Sequence, residues 1–254
     1  MDAVVRVVTF TVMAGLMFVP LEHLFGHSRG KRSGRLADLG FATVGELAVL
    51  AGLATIVGSG LTLLDGIATE DPLLLAIGNR PLRQVSEVAV GLLAFELVGY
   101  AYHRAAHKIP ALWRLHAVHH SSESMDWLAS FRQHPVEILA MTFAQNAPLV
   151  LLGLPLGSHV MVLLVLKLNT VFVHANIEIR PAWWTQLVAT PRFHHRHHQR
   201  EGATHNYAAM FPWLDRLFGT FCAERTAAVG VTETMPRSFV GLVLFPFFGR
   251  YTRA

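Results

Sequence analysis

The stretch FATVGELAVLAGLATIVGSGLTLL, at residues 41–64, carries one charged side chain, Glu46. A helix that crosses a bilayer needs about 20 apolar residues, and this stretch is long enough. The whole chain has the same character, because 52% of its 254 residues are hydrophobic and only 15% are charged. A soluble domain carries about 25% charged residues. The sequence therefore predicts an integral-membrane protein.

Four other apolar runs are candidates for membrane helices. They lie at about 4–22, 88–102, 136–154 and 158–175. Only the short segment LPLGS separates the last two, which predicts a tight helical hairpin. We therefore expect an all-α, integral-membrane helical bundle of about four to five spans. The run FVGLVLFPFFG at 239–249 is too short to span, and we expect it to lie on the membrane or on a cap.

Basic residues are concentrated in the short connection GHSRGKRSGRLAD, at residues 26–38. The positive-inside rule places this connection in the cytoplasm. Alternation of the spans then puts the end of the third, the start of the fourth and the end of the fifth on the same side. We expect a bacterial cytoplasmic membrane, or the endoplasmic reticulum if the protein is eukaryotic. Because the basic residues lie between apolar runs, we expect no nucleic-acid partner.

Histidine is concentrated in three segments that are predicted to lie on this cytoplasmic side: HRAAH at 103–107, HAVHH at 116–120 and PRFHHRHHQR at 191–200. Residues three and four positions apart share one face of a helix. Their spacing predicts that eight side chains converge, namely His103, His107, His116, His119, His120, His194, His197 and His198. His195 lies about 100° around the helix from His194 and should face elsewhere.

Converging histidines indicate a metal site. Neutral imidazole is the commonest metal ligand and suits iron, zinc, copper and nickel. Eight imidazoles exceed what one ion uses, so the pattern predicts a dinuclear site. Cys222 is the only cysteine, which excludes both an intrachain disulfide and a cysteine-ligated zinc site.

The histidine segments and the sequence between them match one family in order. HRAAH, HAVHH and HHRHH fit the HxxxH, HxxHH and HxxHH series of the membrane fatty acid hydroxylase/sterol desaturase superfamily. SFRQHPVE at 130–137 resembles its Arg-x-His-Pro-x-Glu element, and FVHANI at 172–177 resembles its His-x-Asn element. HNYAAMFPWLDRLFGTF resembles its Asn-Tyr-Gly and Trp-Asp-x-Leu-Phe-Gly-Thr ending, with departures at Ala208 and Leu214. The resemblance covers about residues 88–222.

The resemblance implies a division of the chain. Residues 1–87 would form N-terminal spans and a basic cytosolic loop, 88–222 the catalytic domain, and 223–254 a tail on the cap or membrane surface. In the catalytic domain, a cytosolic histidine-rich helical cap would hold a non-haem di-iron centre. The family pattern adds His134 and His174 to the eight ligands, and it implies that Asn206 reaches an ion through water.

The resemblance also implies a reaction. Members use O2 and externally supplied electrons to hydroxylate or desaturate a lipid such as a fatty acyl chain or sterol, and we expect hydroxylation. The sequence contains no haem-binding His-Pro-Gly-Gly, no GxGxxG and no cysteine cluster. We therefore expect a separate electron donor of ferredoxin, rubredoxin or cytochrome type. All-imidazole coordination also suits zinc, so a purified sample is able to carry zinc in place of two iron ions.

Other polar residues are candidates for supporting roles. His195 and His205 are candidates for orienting ligand histidines, as is Glu96, two helical turns before the first cluster. Ionisable groups inside a membrane usually face a cavity or a partner. Glu96, Lys167 and Asn169 are therefore expected either to line a substrate tunnel or to bond between helices.

Two other classes of protein remain open from the sequence. A divalent-metal transporter or metal-binding membrane protein would place ligands near the bilayer midplane, whereas these histidines cluster at one face. A membrane zinc hydrolase needs a water-activating carboxylate, as in HExxH, and that motif is absent. The remaining histidines are predicted not to bind the metal: His23, His27 and His159.

Overall fold

The computed structural model describes residues 2–26, 32–68, 76–154, 156–226 and 228–249, with the backbone alone for 156–160. The expectations for His27 and for the side chain of His159 lie outside the described residues, as do Arg29 and Lys31 of the basic connection.

The described residues form helices and connecting loops. Their only β pairing is an isolated bridge between Gln199 and Val229, so the all-α prediction is confirmed. The helices are α1 (Ala3–Phe25), α2 (Arg35–Asp65), α3 (Arg80–Lys108), α4 (Pro110–His120), α5 (Pro135–Leu151), α6 (Leu156–His174), α7 (Pro191–His197), α8 (Trp213–Leu217) and α9 (Phe239–Phe248). α2 contains two π-helical turns, and short 3-10 turns lie at Trp127–Phe131 and Ala182–Gln186.

Within the described part of the chain, α1, α2 and α3 are long and apolar enough to cross a membrane. Their side chains include large hydrophobic groups that face outward, such as Leu16 at 72% exposure and Leu63 at 78%. Such a surface suits lipid rather than water. The fourth and fifth predicted spans coincide with α5 and α6. Because α5 has 17 residues, at the short limit of about 17 for a span, the predicted count of four to five stays a prediction.

The local sequence fixes where these helices begin. The starting residue in turn determines which helical positions the histidines occupy. Proline begins α4, α5 and α7, where its missing N–H removes no hydrogen bond and its φ suits the first helical position. The hydroxyl of Thr190 accepts from the N–H of Phe193 and caps α7. The first turn of α7 is thereby set, and the histidine run that follows occupies successive helical positions.

Two buried carboxylates tie α1 and α2 to the cap, which we define as residues 110–134 and 175–226. Nε of Arg132 donates to Asp38 at 2.5 Å, and Arg32 lies 2.8 Å from Glu22. Glu22 also accepts from the N–H groups of Trp127 and Asn176. Charged groups removed from water need such partners, so these contacts hold the cap in one position against the helices.

The C-terminal helix α9 packs against α2 and α4. Its Leu242 is fully buried in the core with Phe18, Phe41 and Phe131. Arg114 of α4 donates to the carbonyl of Pro246 at 2.6 Å. The segment 239–249 therefore contacts both the cap and the membrane helix α2, and its expected position on the cap or the membrane stays a prediction.

Candidate metal centre

The histidine segments meet where four helices end. α3 contributes its last turns, α4 its C-terminal turn, α6 its final residue and α7 nearly its whole length. The structure sorts nine imidazoles into two groups, in each of which the candidate ligand atoms lie within 4.8 Å of one another. One group contains His103, His107, His116, His120 and His197; the other contains His119, His174, His194 and His198.

In the five-histidine group, the Nε2 atoms face each other. Those of His103 and His116 lie 3.1 Å apart, and those of His107 and His197 lie 3.2 Å apart. His120 Nε2 is 3.1 Å from both His116 and His197. Five ring nitrogens thus surround one small volume.

The four-histidine group has the same form. Nε2 of His174 lies 3.2 Å from Nε2 of His119 and 3.1 Å from that of His194. Nε2 of His198 lies 3.0 Å from Nε2 of His194. Because His119 and His120 are adjacent in α4 but belong to different groups, α4 joins the two groups.

The hydrogen bonds at Nδ1 decide whether the facing Nε2 atoms carry a hydrogen atom or a lone pair. Nδ1 of His119 bonds to the carbonyl of Arg132 at 3.0 Å, and Nδ1 of His174 bonds to the carbonyl of Thr170 at 2.7 Å. A carbonyl only accepts, and a neutral imidazole has one N–H. Both Nε2 atoms therefore present lone pairs to each other. Facing lone pairs repel unless a cation lies between them, so the donor set fits a metal ion.

The same reasoning applies to the five-histidine group. Nδ1 of His103 donates to the carbonyl of Tyr207 at 2.7 Å, and Nδ1 of His197 donates to that of His205 at 2.9 Å. Nδ1 of His116 lies 2.6 Å from Oε1 of Glu137. Outer partners of this kind fix the tautomer and ring orientation of metal ligands.

Burial keeps the clustered imidazoles of α4 and α7 uncharged. It lowers the pKa of His116 to about 3 and holds the pKa of His119 and His198 well below the ordinary value. Neutral imidazole is the form that binds a metal. The buried Nδ1 atoms of His120, His194 and His198 have no hydrogen-bond partner in the part of the chain that the structure describes. Burying such polar atoms costs free energy, which metal binding through the same rings would offset.

His134 lies outside both groups, although the family pattern made it a candidate ligand. Its Nδ1 accepts from the N–H of Val136 at 3.2 Å, and its Nε2 donates to the carbonyl of Val243 at 3.0 Å. The ring caps the N-terminus of α5 and joins it to α9. With both nitrogens engaged, neither has a lone pair for an ion. His174, the other addition from the family pattern, lies in the four-histidine group.

His195 and His205, two of the proposed supporting residues, each contact a histidine of the two groups. Nε2 of His195 donates to the carbonyl of His174 at 3.2 Å, and the carbonyl of His205 holds His197. His195 therefore faces away from both histidine groups, as its helical position predicts. His205 acts through its main chain, which leaves its side chain outside this contact.

Asn206 and Glu96 hold loops. Nδ2 of Asn206 donates to the carbonyls of Phe193 and Cys222, and its Oδ1 accepts from the N–H of Cys222. Both amide hydrogens are thereby used within the protein, and none is directed at an ion. Glu96, which is 2% exposed, accepts from the N–H groups of Met210 and Phe211. It bonds between α3 and the loop that follows Tyr207.

Asp215 supports the same loop. Its carboxylate accepts from the N–H groups of Tyr207 and Ala208 and from the hydroxyl of Thr220. Burial raises the pKa of Asp215, and these hydrogen bonds favour its charged form. The carbonyl of Tyr207 in turn holds His103. The two departures from the family ending, Ala208 and Leu214, are both 1% exposed and pack in this core.

An apolar cavity of about 340 Å³ reaches the histidines. Leu50 of α2, Phe95 of α3, Met141 of α5 and Leu166 of α6 line its walls. Five of the clustered histidines also line it: His103, His116, His119, His174 and His194. A volume of a few hundred Å³ with mostly apolar walls is typical of small-molecule sites. The cavity therefore connects both metal groups to a space suited to a hydrocarbon chain.

A second, polar cavity of about 250 Å³ borders His107. Trp113, Arg200, Thr204 and Glu233 line it, and the indole N–H of Trp113 donates to Glu233 at 3.2 Å. The five-histidine group thus has a polar opening that is separate from the apolar cavity.

Comparison with known proteins gives the family. The model for fatty acid hydroxylases matches residues 88–220, which is more than half of the chain and includes all nine clustered histidines. The chain belongs to the fatty acid hydroxylase family, which confirms the resemblance found in the sequence. Together with its apolar helices, this membership makes it a membrane protein.

Curated relatives carry lipid-modifying names. The chain is 31% identical to the ornithine lipid hydroxylase OlsE of Rhizobium tropici over 167 residues, 63% of this chain and 50% of the relative. It is 30% identical to human alkylglycerol monooxygenase, over 53% of this chain and 30% of the relative. It is also 30% identical to a zebrafish cholesterol 25-hydroxylase-like protein, over 56% of this chain and 58% of the relative. The aligned part is half or less of the first two relatives' length, and no solved structure matches the chain.

Proposed function

We propose that the protein is a membrane-bound di-iron hydroxylase that converts a C–H bond of a lipid to C–OH. The observation that carries the proposal is the pairing of the two histidine groups with the apolar cavity that they help to line. Lone pairs directed at two small volumes require cations, and a cavity with apolar walls favours a hydrocarbon.

The five-histidine group and the four-histidine group would each hold one iron ion. Bound there, the pair of irons would supply O2 activation with two electrons from a separate donor. In the overall reaction one oxygen atom enters the C–H bond, and the other leaves as water with two protons. All-imidazole ligation suits zinc as well as iron, so iron is part of the proposal.

The protein's own side chains position the reactants. The carbonyls of Arg132, Thr170 and Tyr207 hold ligand rings in one tautomer and orientation. Leu50, Phe95 and the other apolar walls would place a methylene beside the histidines and keep water from it. Holding a reactant in a productive geometry removes much of the entropic part of a barrier.

Hydroxylation is favoured over desaturation by the relatives. The names of the ornithine lipid, alkylglycerol and cholesterol-related proteins all describe hydroxylases or monooxygenases. A rice relative is 31% identical over 54% of this chain and is named very-long-chain aldehyde decarbonylase. That name describes a different reaction. We therefore place this chain with the lipid hydroxylases.

The electron donor would approach from the cap. We propose a separate ferredoxin, rubredoxin or cytochrome-type donor and a cap that faces the cytoplasm of a bacterial inner membrane. The polar cavity beside His107 and Trp113 would give water and protons a path to the ions from the side opposite the lipid. The apolar and polar reactants would then reach the same centre by different openings.

Lipid mass spectrometry tests this function. Cells that express the wild-type protein should accumulate lipids with one added oxygen atom, and cells that express the His119→Ala/His197→Ala variant should not. The double variant removes one ligand from each group and serves as the matched control. Identical lipid profiles, with both proteins present in the membrane, would contradict the hydroxylase. Uptake of Fe²⁺ or Zn²⁺ into vesicles that carry the wild-type protein would instead support a transporter.

A further inference from the structure

An ion pair lies inside the apolar cavity, apart from the histidines. Nζ of Lys167 on α6 donates to Oε1 of Glu46 on α2 at 2.5 Å, and both residues line the cavity. The Lys167 side chain is 39% exposed and that of Glu46 is 17% exposed, and an ion pair with this much exposure contributes little to stability. Ionisable groups in membrane helices usually mark a functional site. Stability alone is therefore a poor reason for this pair.

The pair lies at a defined distance from the metal groups. Lys167 precedes His174 by seven residues on α6, which is two helical turns on one face and about 10 Å. His174 and Lys167 both line the cavity. A substrate that reaches the histidines with one carbon would therefore have another part, about 10 Å away, beside the pair.

The pair has hydrogen-bonding capacity to spare. In the described part of the chain Lys167 donates only to Glu46, although an ammonium has three N–H groups and a carboxylate has two oxygens that accept. Nζ also lies 5.0 Å from the centre of the Phe131 ring, within cation–π distance.

Two other polar side chains of the same cavity are engaged by the main chain. Gln145 donates to the carbonyl of Phe95 at 3.3 Å, and Asn169 donates to that of Ala209 at 2.6 Å. Glu137, the other carboxylate among the lining residues, bonds to His116. Among the carboxylate and ammonium groups of the lining, Glu46 and Lys167 are thus the two that do not bond to a histidine.

We propose that Glu46 and Lys167 form a recognition site for an uncharged hydroxyl or amide group that the lipid substrate carries about 10 Å from the carbon to be oxidised. This inference rests on the proposed function, since it places the substrate in this cavity. A hydroxyl or an amide accepts from the ammonium and donates to the carboxylate at the same time.

The charges of Glu46 and Lys167 disfavour binding of ionised groups. A free carboxylate would be repelled by Glu46, and an amine cation would be repelled by Lys167. A zwitterion satisfies both partners but must lose the hydration of two charges to enter an apolar cavity. An unsubstituted hydrocarbon would cover the pair without any hydrogen bond. The polar group would also fix the position of oxidation by its distance from the metal groups.

Thermal unfolding of the iron-loaded protein in detergent tests the site with three probes: hexadecane, 1-hexadecanol and hexadecanamide. A ligand that binds the folded state raises its unfolding temperature. Two hydrogen bonds are expected to strengthen binding of the alcohol or the amide by roughly ten-fold over the alkane. The probe that gives the larger rise in unfolding temperature shows whether the hydroxyl or the amide is the better match.

Variants test whether Glu46 and Lys167 cause the preference for the alcohol or the amide over the alkane. Glu46→Leu/Lys167→Met removes both charges at similar volume and should abolish the preference while iron content is unchanged. Its control is Glu178→Leu/Arg225→Met, which removes an ion pair on the surface and should keep the preference. If the apolar variant does not fold, the reversed pair Glu46→Lys/Lys167→Glu retains both groups and should keep the preference as well.

Equal affinity of the wild-type protein for all three probes would overturn the recognition site, as would a preference that survives in the folded apolar variant. Loss of the preference in the folded reversed pair would overturn it too. The readout is separate from turnover. A polar preference without oxygen incorporation under O2 and reductant would contradict the hydroxylase and leave the site standing, whereas oxidation without the preference would contradict the site alone.

Discussion

Nδ1 of His116 lies 2.6 Å from Oε1 of Glu137, and both side chains are buried. Glu137 is therefore expected to fix the ring so that Nε2 faces the five-histidine group, and when ionised it raises the basicity of the ligand. Glu137→Gln keeps the shape and removes the charge. We expect iron affinity to fall by about ten-fold or more, in the range known for outer partners of metal ligands.

Iron titration of the purified variants checks this effect. Glu178→Gln changes a carboxylate at the surface and should leave the affinity unchanged. Glu137→Ala should weaken binding further, since it also removes the hydrogen bond. Wild-type affinity in both Glu137 variants would show that the carboxylate has no role in holding the ion.

Single ligand substitutions should empty one group at a time. His119→Ala removes a ring from the four-histidine group and His197→Ala one from the five-histidine group. Each is expected to lower the iron content from about two ions towards one and to abolish turnover, because the two ions act together. Metal analysis of protein extracted from the membrane measures the content.

Two histidine variants serve as controls for that experiment. His23 is exposed on α1, and His23→Ala should keep full iron content. His134→Ala should also keep it, while losing about 1 kcal/mol of stability because the N-cap of α5 is removed. Iron loss in His134→Ala without a loss of stability would place that ring at the metal centre after all.

The metal-free protein should be stable at neutral pH and lose stability in acid. Burial lowers the pKa of His116 to about 3, and the pKa of His194 and His197 is well below the ordinary value. An unfolded chain has histidine pKa values near 6.5. Between these values the unfolded state binds more protons, so the free energy of unfolding falls as pH decreases below about 6.5.

Thermal unfolding of the metal-free protein at pH 7.5 and pH 5.5 measures this dependence. His23→Ala should show the wild-type dependence, since that ring is exposed. Bound metal should raise the unfolding temperature at both pH values and leave the dependence in place, because the metal-bound imidazoles carry no proton while those of the unfolded chain titrate. Equal unfolding temperatures at both pH values would contradict the buried, neutral state of the cluster.

The sequence predicted which histidines could converge because helical spacing fixes which side chains share a face. His103 and His107, or His194 and His198, are one turn apart whatever the rest of the fold does. The same logic placed His195 on the other side of α7, where it bonds to the carbonyl of His174. The division of nine rings into two groups depends on how α3, α4, α6 and α7 meet, and this long-range packing has no local sequence signal.

The sequence did not predict the hydrogen bonds between histidine rings and backbone carbonyls. The carbonyl partners of His119 and His103 are defined by position rather than by residue type. His134 has the same residue type as a ligand, but Pro135 starts α5 beside it, and its ring caps that helix. Glu137 was visible only as the last residue of SFRQHPVE, and its contact with His116 requires α4 and α5 to be placed together.

The cavity gives a steric prediction that is independent of the metal ligands. Met141 of α5 lines it, and Met141→Trp adds an indole where the proposed lipid chain must lie. We expect iron content and membrane insertion to be retained and turnover of a long-chain lipid to fall by about ten-fold, since overpacking a binding site costs about 1–3 kcal/mol. Met161→Trp makes the same change at a residue of α6 that is 51% exposed and should act like the wild type. Full turnover in Met141→Trp would mean that the lipid reaches the ions by another route, and the polar opening beside His107 would then be the one to examine.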